Sequence, residues 1–346
     1  MTTELCRVVT LSILIVNWNS KDYLRRCLQT VRSTCAEMSP QIIVVDNASF
    51  DGCAEMLAAE FPEVEFVQSS ENLGFGRANN LGFQRVRGEY LLLLNPDTEL
   101  RPGAVARMVE ALRTVLGAGI TAPRLLNSDG SLQTSCVQAL PTPWNQAMDC
   151  DLARWMFPRS KTWGTWEAFH SQAPVAVEAA SGACMLMRSE TFRQVGGFTN
   201  EYFMYGEDMD LCAKVWRNGL KVCHVPGAVV VHHGGGSSSQ SLNRLSDVCL
   251  RDSVHRFIRM HQGLIAAVLY RALMTLTATI RLVVCASVWL CSGKVLNSTG
   301  SHTLRKWSAI LRWSVGLEVI PKAQSPKPSC ERQAHRILDI GRPTLD

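Results

Sequence analysis

The sequence predicts an α/β fold: a mostly parallel central sheet with helices on both faces, followed by a C-terminal helical region. Three observations predict it. Short β-rich runs recur at residues 11–16, 42–45, 64–67 and 90–94, and strands that are apolar throughout belong to sheets covered on both sides. Stretches with helical spacing separate them, the alternation expected of a parallel sheet. Polar clusters close three of the runs, Asn17-Trp18-Asn19, Asp46-Asn47 and Asn95-Pro96-Asp97, and in such sheets ligands bind beyond the carboxyl ends of the strands.

In order, Leu11-Ser-Ile-Leu-Ile-Val16 is the first strand. Leu24, Cys27, Leu28 and Val31 then repeat at i, i+3, i+4, i+7, one face of a helix. Ile42-Ile-Val-Val45 is the second strand, 56–61 the next helix, 64–67 the third strand, 78–86 a helix before Gly88, and 90–94 a fourth, buried strand. Residues 127–175 break the rhythm, with a turn at Asn127-Ser-Asp-Gly130 and prolines at 141, 143, 158 and 174 around Trp144, Trp155, Trp163 and Trp166. Those indoles either pack on the body or face an acceptor, since aromatic faces suit sugar rings. Strand character resumes at 175–187. Gly206-Glu207-Asp208-Met209-Asp210 opens a helix stopped by Asn218-Gly219. A last strand, 222–231, ends in His232-His233-Gly234-Gly235-Gly236.

The composition, 346 residues with 47% hydrophobic and 19% charged, is that of a globular chain of one or two domains with a large core. Thirteen cysteines form no CxxC pair, and residues 1–9 lack a basic-then-apolar leader. Reduced thiols in a cytoplasmic protein are therefore expected. From Arg251 onward there are 14 Lys+Arg against 5 Asp+Glu, whereas residues 1–250 are net acidic. A basic tail suits an anionic surface. Residues 264–290 are apolar apart from Arg271, Arg281 and small polar residues, and each Arg at a bilayer centre costs about 2.5–3.5 kcal/mol, which disfavours a simple span. Leu304, Trp307, Ile310, Leu311 and Val315 form a stripe beside Arg305, Lys306 and Arg312, the pattern of an interfacial helix. Peripheral attachment to the cytoplasmic face of a membrane is expected, with helices packed on the body as the competing arrangement. No nucleic-acid partner is expected.

Asp97 closes a buried strand; alone such an acid is more often a turn or helix-capping residue. His232 closes another strand, before small glycines. An acid and an imidazole suit Mn2+ or Mg2+ when phosphate and water complete the shell, and no third ligand lies at zinc spacing. Glu207, Asp208 and Asp210 crowd one helix start. Dipole complementation, at about 0.3–1 kcal/mol, accounts for one or two of them. Apolar neighbours, Phe203 to Gly206, would desolvate a carboxylate and raise its basicity, as a general base for a sugar hydroxyl requires. Asp210 is expected to face the structural side. Asn72-Leu-Gly-Phe-Gly-Arg77 only loosely matches a phosphate loop.

Taken together and in order, Ile15-Val-Asn-Trp-Asn19, Val45-Asp-Asn-Ala-Ser49, Asn72 to Asn80, Asn95-Pro-Asp97, Ser181-Gly-Ala183, Gly196-Gly-Phe198, Gly206-Glu-Asp208 and His232 to Gly236 resemble the inverting family 2 glycosyltransferases of the GT-A fold. The bacterial rhamnosyltransferase-like branch is the most similar. The match spans residues 11–238. The resemblance implies that Trp18 and Asn19 line the nucleoside pocket, Asp46 bonds the pyrimidine base and Asn80 shapes the donor side. Asn95-Pro96-Asp97 stands where the family has Asp-X-Asp, so Asn95 contacts ribose or water and Asp97 is the metal ligand. His232 would be the second ligand, with His233 as runner-up. Asp208 would be the base and Glu207 an acceptor contact. Lys214 replaces a frequent Arg. The implied donor is a nucleotide sugar, dTDP-L-rhamnose first, and the acceptor a glycan or polyprenyl-linked hydroxyl in cell-surface polysaccharide or glycolipid synthesis. Alternatives are a polyprenyl-phosphate sugar synthase, a nucleotidyltransferase and a non-catalytic nucleotide-binding module. The expected organisation is a catalytic domain over 1–245 (donor half 1–125, acceptor half 126–245), a basic helical region over 246–320 and a flexible tail over 321–346.

Overall fold

A computed structural model describes residues 11–160, 162–163, 165–234, 243–292 and 298–318. The glycines at 235 and 236 and the expected tail from 321 lie outside them. The first half runs β1 (Leu11–Asn17), α1 (Lys21–Cys35), β2 (Gln41–Asp46), α2 (Cys53–Glu60), β3 (Glu65–Gln68), α3 (Phe75–Phe83), β4 (Tyr90–Leu94), β5 (Thr98–Leu100), α4 (Ala104–Thr114) and β6 (Ala118–Leu126). Then follow β7 (Val137–Gln138), α5 (Pro143–Ala147), α6 (Asp151–Met156), α7 (Trp166–His170), β8 (Val175–Val177), β9 (Ala179–Ala180), β10 (Cys184–Arg188), α8 (Ser189–Gln194), α9 (Glu207–Arg217) and β11 (Lys221–His232). Three helices end the described chain: α10 (Asn243–Gln262), α11 (Leu264–Ser292) and α12 (Ser298–Ser314).

The main sheet has the order β3-β2-β1-β4-β10-β6-β11-β5, with β8 beside β11. β1, β2, β3 and β4 are parallel, as are β6 and β11. β10 lies antiparallel between β4 and β6. The apolar runs form the centre as predicted: every residue of β1 and β4 is buried. Helices such as α1, with Leu24, Cys27, Leu28 and Val31 inward, cover the faces.

β4 and β5 are linked by Asn95, Pro96 and Asp97 alone, yet stand far apart in sheet order. Three residues reach about 10 Å, so the sheet must curl to bring β5 round to β4. β11 closes the curl. Its first half pairs with β6 up to Val225, the register shifts before Val229, and its end pairs with β5 at His232↔Thr98.

Several elements differ from expectation. The single strand over 175–187 is three short strands, because β8 joins β11, β9 pairs with β7 in a separate ribbon, and only β10 enters the sheet centre. α3 starts at Phe75 rather than 78, after Gly74 at φ +78°. α4, β5, β6 and α8 were not marked by the residue patterns. The described cysteines are free thiols.

The C-terminal helices pack on one another and on the body through Phe257, Ile258, Tyr270, Met274, Ile310 and Trp313, all buried. The α12 stripe therefore corrects the expectation of an interfacial helix: Trp307 and Ile310 turn inward. α11 does the reverse. Its two charged residues face inward, Arg271 donating to the carbonyls of Ser314 and Trp313 and Arg281 to that of Asp149. Its outward face is aliphatic, with Ile265, Val268, Leu276, Ile280, Val283 and Val288 exposed.

α10 is fastened to α9 by a buried ion cluster. Asp210, 1% exposed, accepts from Thr199 Oγ1 at 2.6 Å, lies 2.7 Å from His261 Nε2 and 3.2 Å from Lys214 Nζ. Burial alone would push its carboxyl up; bonds from His261, Thr199 and Lys214 outweigh that and hold it below the usual range. Asp210 thus does face the structural side. Asp210→Asn is expected to destabilise the fold by about 3 kcal/mol, the scale of a buried pair losing one partner. Since the folded pKa is depressed, this stability is present above the usual carboxyl range and fades as pH falls through the depressed value. Thermal unfolding of both proteins at about pH 7 and about pH 3 checks the size and the sign.

Candidate active site

A cavity of about 370 Å³ opens beyond the ends of β1 and β4, between Trp18, the Asn95-Pro96-Asp97 link, the start of α9 and His232. This is the position that strand polarity predicts for a ligand in an open α/β sheet. Of the expected site residues, Trp18, Asn95, Asp97, Glu207, Asp208 and His232 line it.

Asp97 and His232 meet because β11 pairs with β5: the His233 amide donates to the Asp97 carbonyl at 2.9 Å. Asp97 Oδ1 and His232 Nε2 lie 3.3 Å apart. Gln133 decides how the imidazole presents itself. Its amide nitrogen donates to Asn127 Oδ1 and the His232 carbonyl, so Oε1 faces His232 Nδ1 at 2.8 Å and accepts its proton. A neutral His232 then offers its Nε2 lone pair towards a carboxylate oxygen. Two lone pairs aimed at one another fit a cation, and a second partner that fixes the tautomer is characteristic of ligating histidines. No cluster of three or more ligating side chains occurs among the described residues, so a cation here would need phosphate or water to complete its shell. Strand alternation turns His233 the other way, onto Ser128 Oγ, Glu99 and the Tyr23 ring.

The α9 start is held under tension. Tyr205 has φ +68° and Gly206 φ +87°; a tyrosine in the left-handed region costs of the order of 1–3 kcal/mol and persists only where neighbours enforce it. The enforcing contact comes from the 72–75 loop. Phe75 N donates to the Phe203 carbonyl, and a Cβ at Gly74 would stand 2.3 Å from that oxygen. The turn aims Glu207 and Asp208 into the cavity. Asp208 Oδ2 accepts from Gly182 N at 3.1 Å and Oδ1 from Met209 N at 2.8 Å. Burial raises the Asp208 carboxyl above its ordinary range; burial, then the Asp208 charge, raises Glu207. Glu207 Oε2 and Asn95 Oδ1 are buried without a hydrogen-bond partner among the described residues. Such oxygens are rare unless a ligand or water completes them.

Three expected donor contacts stand elsewhere. Asp46 is 1% exposed and its carboxylate is fully used: Asn17 Nδ2 and Cys53 Sγ bond Oδ1, while Ser49 N and Gln68 Nε2 bond Oδ2. It fixes the 47–53 turn and does not line the cavity. Asn19 belongs to the same turn, its Oδ1 accepting from Phe50 N. Asn80 clips the glycine turn to α3 through both backbone groups of Phe198. At this corner Asn47 faces the cavity, while its amide also holds Asn72 and Leu73. Gln133 and Gly182 were not singled out for these roles in the sequence; their partners lie 99 and 26 residues away.

Residues 12–157 match the family described as Glycosyl transferase family 2, and residues 167–233 match that described as N-terminal domain of galactosyltransferase. Over 246 residues the chain is 30% identical to the N-acetylglucosaminyl-diphospho-decaprenol L-rhamnosyltransferase of Mycobacterium tuberculosis, covering 66% of this chain and 78% of that one. Among solved structures it is similar to the mannosyltransferase PcManGT of Pyrobaculum calidifontis with GDP-Man and Mn2+, at TM-score 0.56 and 16% identity over 89% of this chain and 86% of that one. It is also similar to GalNAc-T7 with UDP, GalNAc and Mn2+, at TM-score 0.54 and 17% identity, covering 73% of this chain and about half of that one, 48%. Likeness at these identities establishes the fold, and the sequence match establishes the kinship: the chain belongs to glycosyltransferase family 2 and is a GT-A hexosyltransferase.

Proposed function

We propose that the protein transfers a sugar from a nucleoside-diphosphate donor, dTDP-L-rhamnose first and a UDP-hexose second, to an acceptor hydroxyl by single inverting displacement. One observation carries this reading: a half-buried carboxylate, Asp208, held by two backbone N–H groups in the cavity that also contains the Asp97–His232 pair. The two N–H bonds fix its direction, and burial makes it a stronger base than a surface aspartate. Asp208 takes the proton of the attacking hydroxyl. Glu207, nearer to neutrality, leaves Oε2 to bond the acceptor. Asp97 and His232 would hold Mn2+ or Mg2+, which supplies neutralisation of the diphosphate leaving group; both neighbours named above were solved with Mn2+.

The same reading places the protein at the periphery of an anionic membrane, through α11 rather than α12. Among the described residues α11 is the one helix long and apolar enough to cross a membrane, through its 25-residue span Leu264–Val288 at mean hydropathy 1.5. Its inner face is committed to α10 and α12, which leaves the outer face to lie in the interface. α5 packs on α11, and near it Trp144, Met148, Trp155 and Phe157 are exposed, the aromatic composition of an interfacial belt. Basic residues of the C-terminal part suit anionic headgroups.

Asp208→Asn is expected to leave nucleotide binding intact and to lower kcat by about 10²–10⁴-fold; Glu207→Gln should lose less. With the base raised, kcat/KM of the wild type falls as pH drops through a value above the usual carboxylate range. Normal turnover by Asp208→Asn would overturn the assignment. Asp97→Ala should abolish metal-stimulated nucleoside diphosphate release and weaken Mn2+ binding in the presence of nucleotide; undiminished wild-type activity in excess EDTA contradicts this. In flotation with anionic liposomes at low salt the wild type should rise with the lipid, and a Val268→Asp/Val283→Asp variant should remain below. Equal flotation of the two would remove α11 from the contact.

A further inference from the structure

Glu207 and Asp208 are neighbours at the start of α9, yet their carboxyls have different surroundings. Asp208 is half-buried and both its oxygens accept backbone N–H bonds, Oδ2 from Gly182 and Oδ1 from Met209. Glu207 is 6% exposed and lines the same cavity, and its Oε2 is buried without a hydrogen-bond partner among the described residues. Two adjacent carboxyls in one cavity do not both ionise readily, and their protons leave in two steps. The better-solvated member with two N–H donors gives up its proton first; the other proton stays on Glu207. The neighbouring groups support that order. The charges that act most on Glu207 are Asp208 and Asp210, both acids of its own helix, and the N–H groups of Tyr205 and Glu207 do not outweigh burial. Lys214 and His261 are committed to Asp210, and Arg256 of α10 to Asp252. Asp247 and Cys249 of α10 act on Tyr205, whose phenol, like that of Tyr202, burial keeps protonated. α3 meets the Glu207 stem with Gly76, while its Arg77 turns to the Asn200 carbonyl.

We infer that Glu207 works as a carboxylic acid, donating a hydrogen bond from Oε2 to the acceptor beside the hydroxyl that Asp208 deprotonates. The hydroxyl proton passes to Asp208, and Glu207 keeps its own throughout, as a carboxyl held neutral in order to donate does. This role rests on the transferase reading, since that reading makes Asp208 the base. It narrows the acceptor. Next to its nucleophilic hydroxyl the acceptor carries an uncharged oxygen with a lone pair to offer, whereas an ionised Glu207 would select an ammonium group there. It also limits the negative charge that a diphosphate-bearing donor meets in a cavity already holding Asp97 and Asp208.

Infrared spectroscopy of the full chain tests the proton directly and needs no turnover. Near neutral pH the wild type should show a carboxylic-acid C=O stretch that disappears as pH rises through the raised Glu207 value, and Glu207→Gln should lack it. No such band in the wild type, or the same band in Glu207→Gln, overturns the inference. Kinetics test the hydrogen bond, with dTDP-L-rhamnose and UDP-glucose as donors and octyl glycosides as acceptor probes. The acid is the active form, so wild-type kcat/KM should decline on the alkaline side as Glu207 ionises. Glu207→Gln, with an N–H in place of the O–H, should turn over more slowly but lose that decline. Glu207→Leu, which has no donor, should fall about tenfold or more below the wild type at neutral pH. An alkaline decline that persists in Glu207→Gln, or equal activity of the Leu and Gln variants, overturns the inference. Absence of turnover with both donors strikes instead at the transferase reading, and the infrared result stands apart from it.

Discussion

The site depends on a constraint of length. Three residues, Asn95 to Asp97, connect a central strand to the far edge of the sheet, and a link so short leaves the sheet no choice but to curl. The curl puts the end of β11 beside β5, and that pairing sets His232 against Asp97. The same three residues line the cavity whose other wall is the start of α9. An insertion here would relax the sheet and separate Asp97 from His232 at one stroke, whereas a loop on the outer surface could lengthen at small cost.

Much of the donor half was legible in the sequence because of how buried parallel strands are made. Apolar on both faces, they leave continuous runs, and the polar residues that end them mark the ligand side. Asp97 and His232 stand at strand ends that this logic marks, whereas Glu207 and Asp208 stand out by the crowding of acids at a helix start. The choice between His232 and His233 needs the register His232↔Thr98, which no local pattern contains. Asp46 shows the opposite limit. A buried acid at a strand end looks the same in sequence whether it awaits a ligand or is already satisfied, and here Asn17, Ser49, Cys53 and Gln68 satisfy it. The antiparallel insertion of β10 was illegible for a related reason, since its partners β4 and β6 lie far off in the chain.

The C-terminal helices show how composition can mark an apolar stripe without saying which surface it forms. Both α11 and α12 carry apolar stripes, and a stripe does not say whether protein or lipid covers it. Side-chain bonding does. Arg271 and Arg281 are satisfied by inward carbonyls, which commits the aliphatic side of α11 outward. On α12, Trp307 and Ile310 fill the space that this orientation leaves.

The buried contact between α10 and α9 bears on how this chain can be divided. By sequence the catalytic part ends near residue 245, and a fragment cut there would keep every residue named in the reaction. It would also keep Asp210 without His261, lose the packing of Phe257 and Ile258, and lose Leu250 from the cavity wall. Catalytic and C-terminal parts are consecutive in the chain but not modular in folding. Swapping the C-terminal helices between relatives to redirect acceptor choice would therefore have to carry the Asp210 pocket along with them.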